Sequence, residues 1–81
     1  MESTVKMNSV LDPAKVALLV QTASKFKSRI MLVHQDRRAD AKSIMGVISL
    51  GLNEGQSVTV TVDGEDEGDA LPVVKDFLQA N

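Results

Sequence analysis

Four features of this 81-residue chain carry side chains able to do chemistry: His34, the pair Asp12-Pro13, Ser43, and the acidic run Asp63 to Asp69. His34 has the chemistry of a base or a metal ligand, but metal sites need three or four converging ligands. The chain holds one histidine and no cysteine, so no such cluster can be assembled around it. His34 is read as a structural or surface residue. The acidic run resembles a calcium loop, with Asp63, Glu65, Glu67 and Gly68 at the first, third, fifth and sixth positions of an EF-hand. Its twelfth position, which requires a bidentate glutamate, is Val74. The acids therefore solvate a turn and favour a helix N-terminus. No cofactor and no metal site is expected.

Asp12 and Ser43 both have the chemistry of helix caps, a side-chain oxygen accepting an orphan backbone N–H. Pro13 suits the first helical position because it has no N–H to lose. At Ser43 a second chemistry is open, since a phosphate at a helix start meets the positive end of the helix dipole. The spacing of Ile44, Val47 and Ile48 predicts a core stripe that leaves Met45 turned outward. A methionine beside a cap serine is the pattern of a charge-switched docking patch.

Composition bounds the rest. Nine basic residues against eleven acidic leave a net charge of −2. That argues against direct nucleic-acid binding, which shows a basic excess or stripe. Tryptophan and tyrosine are absent, so no aromatic platform for stacking bases exists. No segment approaches the roughly 18 apolar residues of a membrane span. Met1 to Lys6 lacks the apolar region of a secretory signal, and the missing cysteines fit a cytoplasmic setting. One domain over residues 1–81 is expected.

The elements that must position these residues follow from periodicity. Thr4 to Ser9 predicts a first strand with Val5 and Met7 on one face. A helix follows Asp12, with Val16, Leu19, Val20 and Ala23 on its buried side and Lys25 and Lys27 near its end. Ser28 to His34 predicts a second strand, Gln35-Asp36-Arg37 a turn, and Arg38 to Lys42 a short third strand. A short helix then starts at Ser43. Ser57 to Val62 alternates valine with threonine or serine, the mark of a half-buried strand. The last helix buries Ala70, Val74, Phe77 and Leu78. A start after Asp69 is favoured over one after Asp66, because it keeps Pro72 in the tolerant first turn. The order β-α-β-β-α-β-α fits an antiparallel sheet with helices on one face.

Three blocks resemble the HPr family, the histidine phosphocarriers of the bacterial sugar phosphotransferase system. They are Leu18-Leu19-Val20-Gln21-Thr22-Ala23-Ser24, the stretch from Ala41 through Lys42-Ser43-Ile44-Met45-Gly46 to Gly51, and Gly64-Glu65-Asp66-Glu67 with Asp69-Ala70-Leu71. The resemblance covers nearly the whole chain. It implies an α+β open-faced β-sandwich, with a four-stranded antiparallel sheet in order 1-4-2-3 covered by three helices. The family's motif Gly-(Leu/Ile)-His-Ala-Arg-Pro-Ala falls on Val10-Leu11-Asp12-Pro13-Ala14-Lys15-Val16. Asp12 thus stands where the phosphoryl-accepting histidine would be, and Ala14 where the phosphate-holding arginine would be. Lys15, one place along, is a substitute cation.

Ordinary phosphocarrier activity is therefore not expected, and no catalytic residue is assigned. The combination resembles the catabolite-repression HPr (Crh) type of Gram-positive bacteria, which lacks the active histidine and keeps the regulatory serine. That type keeps the motif's arginine and proline, which are absent here. By resemblance, HPr kinase/phosphorylase would phosphorylate Ser43, and a LacI-type catabolite control repressor would dock on Ile44, Met45 and Ile48. Two alternatives stand beside this reading: a phosphotransferase component with an atypical acceptor at Asp12, and a degenerate binding module with new partners. Some relatives exchange the first strand to form homodimers.

Overall fold

A computed structural model describes residues 1–80. The elements run β1 (Glu2–Lys6), α1 (Pro13–Ser24), β2 (Arg29–His34), β3 (Arg37–Asp40), α2 (Ile44–Leu50), β4 (Ser57–Asp63) and α3 (Glu67–Ala80). The four strands form one antiparallel sheet in the order β1-β4-β2-β3. This is the β-α-β-β-α-β-α order and the 1-4-2-3 sheet that periodicity and resemblance anticipated.

Alternation decides which side of the sheet is dry. Val58, Val60 and Val62 of β4 are buried, while Thr59 and Thr61 between them are half-buried on the opposite face. Ile30 and Leu32 of β2 join the valines, as do Val5 of β1 and Ala39 of β3. The helices cover this face with Val16, Leu19 and Ala23 of α1, Val47 and Leu50 of α2, and Ala70, Val74 and Leu78 of α3. The other face lies open. On it Thr4 and Thr59 share a hydrogen bond of 2.8 Å between their hydroxyls.

Several boundaries differ from the periodicity reading. β1 starts at Glu2 and ends at Lys6, before Met7. Met7 is still buried, its N–H donating to the Gln56 carbonyl at 2.8 Å. The turn after β2 has two residues, Gln35 and Asp36, and Arg37 already pairs with His34. Gln35 adopts φ 56°, a left-handed conformation that costs a non-glycine residue about 1–2 kcal/mol. Phe77 is half-buried against the core rather than inside it.

The last helix corrects the favoured start. α3 begins at Glu67, and the Asp66 carbonyl accepts the N–H groups of Asp69 and Ala70, each at 3.0 Å. Pro72 therefore lies inside the helix, in its second turn. The burial of Ala70, Val74 and Leu78 dictates the helix axis, and that tertiary gain overrides the local cost of the proline.

Candidate functional site: the loop from β3 into α2

The approach to Ser43 is tied at every backbone step. Ala41 N–H donates to the Ile30 carbonyl at 2.9 Å, and Ser43 N–H to the Asp40 carbonyl at 2.9 Å. Lys42 N–H donates to the Asp40 carboxylate at 2.8 Å, a local turn of the kind aspartate favours. Ser43 then takes an extended conformation, φ −113° and ψ 112°, and its Oγ accepts the Gly46 N–H at 3.2 Å. The expected cap is present. A Cβ at Gly46 would come within 3.2 Å of that same oxygen, so glycine leaves room for the serine side chain.

The face beyond Ser43 differs from the stripe inferred from spacing. Val47 and Leu50 are the buried residues of α2; Ile44 and Ile48 are not part of the core. Ile44 is 47% exposed, Met45 73% and Ile48 44%, so three large apolar side chains stand together in solvent. The reason is geometric: α2 has seven residues and rests on β3 and α1, so a narrow stripe at a spacing of three suffices to anchor it. Leu18 of α1, a helix that packs on α2, is also exposed.

The charges near Ser43 in sequence are those of Asp40 and Lys42. α2 contains no ionisable side chain. The half-buried Lys42 spends its ammonium elsewhere, donating from Nζ to the Phe26 carbonyl at 2.7 Å, just past the end of α1.

The other candidates lie apart from this loop. Asp12 is exposed and caps α1, its Oδ1 accepting Lys15 N–H at 2.9 Å. The Lys15 ammonium turns away, donating to Ser9 Oγ at 3.0 Å. Among the described residues the ion pairs join Met1 to Glu67 and Lys27 to Glu65, and neither Asp12 nor Lys15 takes part. His34 is half-buried at the end of β2, with Nδ1 2.9 Å from the Ser57 carbonyl. A carbonyl only accepts, so Nδ1 carries the proton.

Among the described residues, no three His, Cys, Asp or Glu side chains gather where they could hold a metal ion. Nor, among them, is any helix long and apolar enough to cross a membrane. In the acidic run, Asp66 accepts hydrogen bonds from Ser28 Oγ, from Lys27 N–H at 2.8 Å and from Ser28 N–H at 2.9 Å. The Ser28 hydroxyl, then the Lys27 N–H, hold its carboxyl below the ordinary value near 3.8 against the opposing effect of partial burial. Sequence reading missed this cluster and the Lys42–Phe26 tie, because their partners lie 38 and 16 residues apart.

A family model described as the PTS HPr component phosphorylation site matches residues 2–80. The chain belongs to the HPr family. HPr is a phosphocarrier protein, not an enzyme. Solved HPr structures agree with the fold. The phosphocarrier protein HPr from Bacillus anthracis str. Ames superposes with a TM-score of 0.93 at 31% identity, covering 98% of this chain and 96% of its own. HPr-C-His from Thermoanaerobacter tengcongensis gives 0.89 at 38% identity, over 96% and 90% of the two chains. The Bacillus subtilis catabolite repression protein Crh, solved as a swapped, intertwined dimer, gives 0.83 at 37% identity, over 94% and 87%.

Proposed function

We propose that this HPr-family chain is a regulator of carbon metabolism and catabolite repression, switched by phosphorylation of Ser43, rather than a phosphocarrier using the family's histidine. One observation carries the reading: a cap hydroxyl stands beside three exposed apolar side chains, Ile44, Met45 and Ile48. Phosphate adds about −1.5 to −2 charge at pH 7 to an apolar patch that has no charge of its own. The patch then reads differently to a partner before and after modification. By family resemblance the modifying enzyme is HPr kinase/phosphorylase, and the partner is a LacI-type catabolite control repressor. The likeness to Crh supports this direction.

Asp12 serves as a helix cap in this reading. Its carboxylate is already engaged with the Lys15 N–H, and the cation that would steady an acyl phosphate is turned toward Ser9. The swapped dimer of Crh supports a homodimer as the assembly of this chain.

The test is direct. With ATP and HPr kinase, the γ-phosphoryl bond to ADP breaks, the bond to Ser43 Oγ forms and the hydroxyl proton passes to the kinase. The expected mass gain is one phosphate, absent in Ser43→Ala. With phosphoenolpyruvate and the first enzyme of the phosphotransferase system, no label is expected. An unmodified protein in the kinase assay, or label from phosphoenolpyruvate, overturns the proposal.

A further inference from the structure

We infer that Lys42 is a positioning residue for modification of Ser43, acting through its grip on the end of α1; this rests on the reading of Ser43 as the phosphorylated residue. A helix as short as α2 is marginal without tertiary support. The geometry of its first turn, and with it the direction of the Ser43 hydroxyl, must be imposed from outside. On the sheet side, the bonds of Ala41 to Ile30 and of Lys42 and Ser43 to Asp40 do this. On the helix side, among the described residues, one hydrogen bond joins the segment Asp40–Leu50 to the segment Pro13–Ser28. It is Lys42 Nζ to the Phe26 carbonyl at 2.7 Å.

The bond has the features of a fixed strut. Holding a lysine side chain still costs rotamer entropy. A charged donor on a carbonyl makes one of the stronger hydrogen bonds, which offsets that cost. Location helps further. The Lys42 ammonium adds a further cation, beside the C-cap residue Lys25, at the end of α1 that the helix dipole makes negative. Lys42 faces no carboxylate with its ammonium, since neither ion pair among the described residues includes it. Its charge is spent on aligning α1 with the start of α2. Loss of the donor releases the helix side of the loop while leaving Ser43, Gly46 and the apolar patch chemically unchanged.

Two measurements test this, with Lys42→Met removing the donor at similar length and Lys42→Arg restoring one. The first needs no kinase. The Gly46 amide, which donates to Ser43 Oγ, is followed by its NMR shift and hydrogen exchange in the unmodified proteins. Faster exchange and a moved peak are expected in Lys42→Met, with recovery in Lys42→Arg. The second is kcat/KM for phosphorylation of Ser43 by HPr kinase, expected to fall about tenfold in Lys42→Met, which corresponds to about 1.4 kcal/mol, and to return in Lys42→Arg. An unmoved Gly46 amide in Lys42→Met overturns the positioning role whatever the kinase does. A moved amide with unchanged kcat/KM overturns its bearing on modification. If the wild-type protein takes no phosphate, the proposed function fails, and the Gly46 amide alone then decides whether Lys42 positions the loop.

Discussion

Asp66 gathers three donors from residues nearly half the chain away, the N–H groups of Lys27 and Ser28 and the hydroxyl of Ser28. Ser28 is 1% exposed, the buried polar residue among those described. Gly64 faces it closely: a Cβ there would meet the Ser28 Cα at 2.6 Å, and its φ of 154° also favours glycine. The knot joins the start of β2 to the turn before α3. Because the folded carboxyl is held below its unfolded value, its contribution is present above the ordinary carboxyl range and lost as pH falls through the lowered folded value. Asp66→Asn should lower Tm at pH 7 and leave a shallower acid limb below about pH 4. Thermal scans from pH 7 to pH 2 check this, and identical slopes for both proteins would refute it. At this scale Ser43 and Asp12 were legible, because capping is a local chemistry of three or four residues. Ser28 and Lys42 were not, because nothing local names a partner on another element.

α3 shows the same division one level up. Its buried residues at 70, 74 and 78 follow the helical period, so the helix and its inner face could be read directly. Its start could not. Local rules place Pro72 in a first turn, yet the carbonyl of Asp66 begins the helix earlier. Pro72 is exposed and has no N–H to offer the Gly68 carbonyl one turn back. Pro72→Ala should therefore stabilise the protein by about 1 kcal/mol, after allowance for a more flexible unfolded chain. For a domain of this size that is a rise of roughly 4–8 °C in Tm; calorimetry showing a lower Tm would contradict it. α2 failed differently. With seven residues it offers too few positions for periodicity to separate a buried stripe from an exposed one, and Ile44 and Ile48 were placed inside. Their exposure is what makes the patch beside Ser43 available.

For the whole molecule, stability rests on one shared layer between sheet and helices. Leu32 and Val60, paired across the two central strands, are both fully buried within it. In a domain this small no second core can compensate for a defect. Leu32→Ala should cost about 2–5 kcal/mol, read as a lower urea midpoint at constant slope. A loss under 1 kcal/mol would mean that the layer can collapse around the gap.

The chain by itself determined the fold class, the element order, the alternating face of β4 and the two capping residues. Each of these depends on neighbours within a few positions, where backbone geometry dictates which side chains share a face. Family likeness, written in residues 18–24, 41–51, 64–67 and 69–71, extended that reading to the sheet order. Tertiary structure decided between the periodicity of α2, which put Ile44 and Ile48 inside, and the family likeness, which made them a docking patch: they face solvent. It alone decided that Lys42 reaches the end of α1, that Lys15 turns to Ser9 rather than Asp12, and that Asp66 holds Ser28. Those outcomes depend on which elements pack together. A short helix takes its orientation from the surfaces beneath it, and a long polar side chain takes the partner that packing brings within reach.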